Sequence, residues 1–324
     1  MQLNLPILHL FKDAKRILIA GAGGGFDIYA GLPLYFTLRE HGKTVHLANL
    51  TFTDFKTAKK LSEHVYPVVE TLVMGVGGKV NGELPYYPEG YLTQWFKETH
   101  GEDITMWMFE RRGIQTMVMM YQELIKHLGG VDAVILVDGG VDALMRGDEQ
   151  GPGTMLEDSI SLGAIEPLDV PIKILANVGF GTEVEEAVCH HHALENMAAL
   201  IADGGFYGAC ALTPQMDAFQ QFDAACRYVW EQPGHHKSHI STRIIPAVHG
   251  EFGNVHMYSG FYQSELFISP LMALYWFFDA NAVIRRNQLI EPLRDTITFE
   301  DAYQLNLKLR VQNKSLRPRK KIPY

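Results

Sequence analysis

The sequence predicts an α/β fold built on a mainly parallel sheet, and three observations predict it. Short apolar runs of strand length recur along the 324 residues. Three of them end in glycine-containing turns. Helix-compatible stretches lie between them, so strands and helices alternate as βαβ units whose crossovers are right-handed.

The first unit is the clearest. Arg16 to Ala20 reads as a buried strand, Gly21-Ala-Gly-Gly-Gly25 as its turn, and Asp27 to His41 as a helix stopped by Gly42. Thr44 to Ala48 reads as the next strand and Val68 to Met74 as a third. Gly75 to Gly90, rich in Gly, Pro and Tyr, reads as a long loop. Tyr91 to His127 reads as mostly helical, with its methionines filling core. Ala133 to Val137 is the strongest buried-strand signal and ends at Asp138-Gly-Gly140. Ile172 to Ala176 repeats that plan and ends at Asn177-Val-Gly-Phe-Gly181. Glu183 to Asp203 is expected as a helix, Phe206 to Leu212 and Thr242 to Val248 as strands, and Ser264 to Ala282 as an apolar helix. Thr298 opens a last helix, with Asp301 placed to complete its cap. Together these give a Rossmann-like, three-layer α/β/α arrangement. One domain covers 1–307, helical from about residue 262, and a tail covers 308–324.

Composition limits the function classes. Hydrophobic residues make up 47% and charged residues 20%, enough apolar material for a core and too much for a disordered chain. The net charge of -9 argues against a nucleic-acid coat. Cys189, Cys210 and Cys226 lack the spacing of a disulfide framework or a zinc site. The apolar start, Met1 to Leu10, has no basic leader, and Leu266 to Phe278 is too short to span a bilayer. The expectation is a soluble, cytoplasmic protein. The tail carries seven basic residues (Lys308, Arg310, Lys314, Arg317, Arg319, Lys320, Lys321) and no acidic one. It reads either as a solvated end or as an arm that docks on an acidic partner, including a neighbouring subunit of a homo-oligomer.

Chemistry is expected at the strand ends. Gly21, Gly23, Gly24 and Gly25 let the backbone turn tightly at a helix start, where N–H groups attract an anion such as phosphate. The dinucleotide fingerprint is incomplete, because Phe26 stands at its third glycine and no acid follows the second strand near Asn49. No P-loop lysine follows either. Asp27 beside a phosphate needs a cation or a sugar as partner. Asp138 and Asp142 are candidate Mg²⁺ ligands and catalytic groups, with Gly139 and Gly140 leaving room for a ligand. Gly179, Gly181 and Thr182 form a third turn, which meets the same rim if the strands are adjacent. His249 is the histidine placed to act as acid or base. His190, His191 and His192 occupy successive helical positions, with Glu186 four residues before His190 and Glu195 four after His191. His235, His236 and His239 sit in a loop.

Three stretches, Ile19 to Asp27, Val137 to Asp142 with Arg146-Gly-Asp-Glu149, and Asn177 to Gly181, resemble the family called domain of unknown function 1152. The resemblance implies a Rossmann-like fold and a candidate rim, and no reaction. The residues themselves point to a phosphorylated small molecule, most naturally a nucleotide, bound at the rim with Mg²⁺-assisted transfer or hydrolysis as the chemistry. A non-catalytic nucleotide-sensing module and an atypical NAD(P)-dependent oxidoreductase are the competing readings.

Overall fold

The protein is described here by a computed structural model at residues 6–233, 236–258, 264–313 and 315–322. Nine strands form one sheet: β1 (Arg16–Gly21), β2 (Thr44–Thr51), β3 (Ser62–Val69), β4 (Val73–Val80), β5 (Met106–Glu110), β6 (Ala133–Gly139), β7 (Ile172–Val178), β8 (Phe206–Ala211) and β9 (Leu274–Asp279). Their order is β3-β4-β5-β2-β1-β6-β7-β9-β8. β5, β2, β1, β6 and β7 pair in parallel, while β3, β4, β9 and β8 extend the two sides antiparallel. Among the parallel strands alone, the spatial order is third, second, first, fourth, fifth. That is the doubly wound Rossmann order, and its switch point lies between β1 and β6.

Strand alternation divides β1 between two apolar layers. Leu18 and Ala20 face the layer that holds the helices Ile114–His127, Met155–Ile165 and His190–Ala202. Ile17 and Ile19 face the layer that holds Leu32–Glu40, Pro88–His100 and Asp217–Trp230. All four strand residues are fully buried. A sheet covered on both faces is the three-layer arrangement expected.

Several elements differ from the sequence reading, each for a physical reason. Val68 to Met74 holds the end of β3, a short turn and the start of β4, and the expected loop Gly75 to Gly90 is strand as far as Val80 and helix from Pro88. A Cβ on Gly75 would lie 2.5 Å from Thr105 and 2.8 Å from Trp107, so β4 needs glycine to lie flush across β5. The expected long helix 91–127 is two helices with β5 between them, because Met-Trp-Met-Phe has no period that separates strand from helix. The same ambiguity hides β9 inside the expected helix 264–282, where an aromatic run inserts between β7 and β8. Thr242 to Val248 lies within the helix Ser241–Val248 despite its β-branched residues and Pro246. The helix expected from Glu183 begins only at His190, and Asp27 to His41 is two helices broken at Gly31. Thr298 and Asp301 do form a reciprocal cap.

The basic tail docks on the chain's own acidic residues. Arg317 exchanges backbone hydrogen bonds with Asp148 and Gln150 (2.7 and 2.9 Å). Its guanidinium reaches Asp148 at 2.8 Å and fully buried Glu149 at 2.6 Å, and also pairs with Glu195. Lys314 and His235 lie outside the described residues.

Candidate functional site

A cavity of about 490 Å³ opens at the carboxyl ends of β1 and β6, at the switch point of the sheet. The first glycine turn makes one wall. Ala22 N–H donates to the Val137 carbonyl at 2.8 Å and Gly25 N–H to the Leu50 carbonyl at 3.1 Å, so the turn is stitched to both neighbouring strands. Gly24 has φ +92°, and a Cβ there would stand 2.5 Å from the Leu50 oxygen. Only glycine fits. From the opposite side, Ser161 Oγ donates to the Ala22 carbonyl at 2.6 Å.

The anion at this turn belongs to the protein. Asp27 accepts hydrogen bonds from Gly23 N–H at 2.7 Å and Gly139 N–H at 3.2 Å. Its carboxylate thus fills the place the sequence assigned to a phosphate, and it bridges the ends of β1 and β6. Gly23 and Gly139 are small because carboxylates press on them. A Cβ on Gly23 would lie 3.0 Å from Asp27 Oδ2 and 3.2 Å from Asp158 Oδ2, and one on Gly139 3.0 Å from Asp27 Oδ1. Gly140 makes the same allowance beside the cavity, where a Cβ would lie 2.6 Å from Glu183 Oε2.

Further carboxylates surround Asp27. Asp138 accepts from Asn177 Nδ2 at 2.5 Å and Ala143 N–H at 3.3 Å. Asp142 accepts from the Thr154 N–H and hydroxyl at 2.7 and 2.9 Å. Glu183 accepts from Val141 N–H at 2.6 Å, and the neighbouring Asp142 adds to the burial that holds its carboxyl above the ordinary range. Asp158 stands apart. It is buried, and its Oδ1 has no hydrogen-bond partner. One oxygen each from Asp27, Asp138 and Asp158 fall within 4.8 Å of one another.

Burial, and then the charge of the neighbours, pushes the protonation of this group upward. Asp27 is raised to about 7 by desolvation, with Asp142 adding to it. Asp138, Asp158 and Glu183 are raised well above the carboxylate range by burial and then by Asp142. Asp142 and Glu157 are raised mainly by burial. On the facing wall burial would also raise Glu186, but its 2.8 Å pair with His239 outweighs that and holds it low. His236 and Lys237 line the same wall, and Phe52 and Tyr86 give the mouth an aromatic face.

The cavity therefore gathers Gly23, Gly24, Gly25, Asp27, Asp138, Gly139 and Asp142 from the residues named in the sequence. Gly21 lies beneath the turn. Gly179, Gly181 and Thr182 do not line the cavity: Thr182 is fully buried, its hydroxyl donating to the Gly179 carbonyl at 2.7 Å. Arg243 lies on the far side of that turn, donating to the Thr182 carbonyl. His249 is exposed at the end of the helix Ser241–Val248, its ring against Phe219, outside the cavity. The metal-capable partners of Asp138 are Asp27 and Asp158, whereas Asp142 is tied to Thr154 and Glu183. Sequence reasoning missed Glu183 and did not count Asp158 among the site residues. Asp158 carried a signal, standing with Glu157 in the first turn of the helix Met155–Ile165, which follows the Asp138 strand.

Among the described residues no helix is long and apolar enough to cross a membrane. No curated protein and no solved structure matches the chain. A family model does match, over residues 96–314. That stretch supplies Asp138, Asp142, Asp158 and Glu183, while Asp27 and its glycine turn come from the preceding β1 segment. With two thirds of its length covered, the chain belongs to the family described as Protein of unknown function (DUF1152).

Proposed function

We propose that the cavity binds a phosphorylated small molecule, a nucleotide first among the candidates, through a divalent cation held by Asp27, Asp138 and Asp158, and that it supports Mg²⁺-assisted phosphoryl transfer or hydrolysis. The observation that carries this reading is Asp158, which is buried with its Oδ1 unpartnered and places a carboxylate oxygen within 4.8 Å of those of Asp27 and Asp138. A buried carboxylate without a partner is costly, and a cation relieves that cost for all three at once. Oxygen-only donors suit Mg²⁺ or Mn²⁺. A bare phosphate would be repelled by this wall; one bridged by a cation is attracted. The cation supplies charge neutralisation at the phosphoryl oxygens. Asp27 and Asp138 are held in place by Gly23, Gly139, Asn177 and Ala143. Glu183 beside them, its carboxyl raised by burial, holds a proton that a reacting oxygen can exchange. Lys237 offers a positive charge from the opposite wall, and Phe52 and Tyr86 offer ring faces for a base.

The test is a thermal-shift and calorimetry panel of nucleotides and phosphorylated metabolites, with Mg²⁺, with Mn²⁺ and with EDTA. The reading expects stabilisation by cation alone, a further shift by one ligand class only when cation is present, and phosphate release from that class. Equal nucleotide stabilisation in EDTA would remove the cation from the site. Cation-dependent binding without turnover would replace catalysis by sensing.

A further inference from the structure

A second group of metal-capable side chains lies on another part of the molecule, on the first turns of the helix His190–Ala202. His191, His192 and Glu195 each place a ligand atom within 4.8 Å of the others. Positions 191 and 195 are one turn apart, and 192 and 195 share the same side of that turn. His192 is 1% exposed, and neither of its ring nitrogens has a hydrogen-bond partner. Nδ1 of His191 is likewise buried and unpartnered. A buried imidazole with both nitrogens unmatched forfeits two hydrogen bonds that water would make. Nothing in the cavity at the switch point uses these residues.

We propose that His191, His192 and Glu195 form a transition-metal site, distinct from the carboxylate cavity and selective for Zn²⁺-type ions over Mg²⁺. Two imidazoles and one carboxylate are the donor set of Zn²⁺, Ni²⁺ and Co²⁺, and three protein ligands leave a coordination position for water. Glu195 already carries Arg317 from the tail, which also holds Asp148 and Glu149. Metal and guanidinium therefore compete for Glu195. The tail keeps its other two acidic anchors when the metal binds, so occupancy loosens Arg317 without releasing it.

The experiment uses untagged full-length protein, freed of metal and titrated with Co²⁺, whose visible absorption reports nitrogen ligation at low coordination number. One equivalent giving such a band is expected, displaced by Zn²⁺ and unaffected by millimolar Mg²⁺. Asp158→Asn keeps the band, which separates this site from the carboxylate cavity. Glu195→Gln, at an exposed position, and His191→Gln, at a half-buried one, each weaken Co²⁺ binding at least tenfold, about 1.4 kcal/mol or more. His192→Ala removes the band while far-ultraviolet circular dichroism stays native. A band that survives Glu195→Gln and His191→Gln unchanged overturns the proposal, as does the absence of any band in wild-type protein. If His192→Ala does not fold, the two other variants decide the matter alone.

Discussion

Two acidic clusters draw on the connection between β6 and β7, and the chain treats them differently. Asp148 and fully buried Glu149 receive a cation from the chain itself, the Arg317 guanidinium at 2.8 and 2.6 Å. Asp27, Asp138 and Asp158 receive none, although all three sit in or against a buried wall. Backbone N–H groups and Asn177 compensate part of that charge and leave Asp158 Oδ1 without a hydrogen-bond partner. Where a cluster only has to hold the fold together, an internal counter-charge suffices. The shortage beside the cavity is the feature on which the proposed cation site rests.

The comparison can be broken most decisively at Asp158. Asp158→Asn should weaken Mn²⁺ binding at least a hundredfold by calorimetry while raising the melting temperature of the metal-free protein. A variant that binds Mn²⁺ normally would place the cation elsewhere. Arg317→Ala tests the other cluster. It leaves Glu149 buried and uncompensated, and a loss of about 3 kcal/mol in urea unfolding is expected. A loss below roughly 1 kcal/mol would mean the tail contributes only as an exposed ion pair does. Gly24→Ala should cost about 1–2 kcal/mol, since both its positive φ and the Leu50 oxygen oppose a side chain. Its effect on cation binding should be smaller than that of Asp158→Asn.

The pH dependence sharpens the contrast further. Asp27 has its folded value raised to about 7, so between about pH 4 and 7 the folded protein binds more protons than the unfolded chain. Stability of the metal-free protein therefore falls as pH rises through that window, and the raised carboxyls of Asp138, Asp158 and Glu183 act in the same direction. A melting temperature about 5 °C lower at pH 8 than at pH 5.5 is the expected scale. Saturating Mg²⁺ should flatten or reverse that slope. A metal-free protein that gains stability toward pH 8 would show that these acids are not protonated in the fold.

Much of the architecture was legible because the central strands are unambiguous. Arg16 to Gly21, Ala133 to Gly139 and Ile172 to Val178 are short, apolar and closed by glycine, and they place the rim. The edges were not legible. β4 hides its strand character behind Gly75, Gly77 and Gly78, and β5 and β9 are apolar runs whose type only their neighbours in the sheet decide. The site was half legible. Asp27 and Asp138 follow directly from strand ends, but a further reason for the glycines was not legible: Gly23 and Gly139 also make space for carboxylates of Asp27 and Asp158 to approach the backbone. Asp158 and Glu183 come from a crossover helix and a later turn, and their convergence on Asp138 is a matter of topology rather than spacing. The third glycine turn shares the edge of the sheet without reaching the cavity, because Thr182 folds it closed.

The way Arg317 is anchored bears on how this protein is handled at the bench. Cutting the last dozen residues to obtain a tidier crystallisation target would strip the counter-ion from beneath Glu149 and expose the Cys189 thiol, which hydrogen-bonds the backbone of Lys320. A bulky carboxyl-terminal fusion pulls on the same strap. Affinity handles therefore belong at the other end, and a poorly behaved shortened version would report on a missing clasp rather than on a defective core.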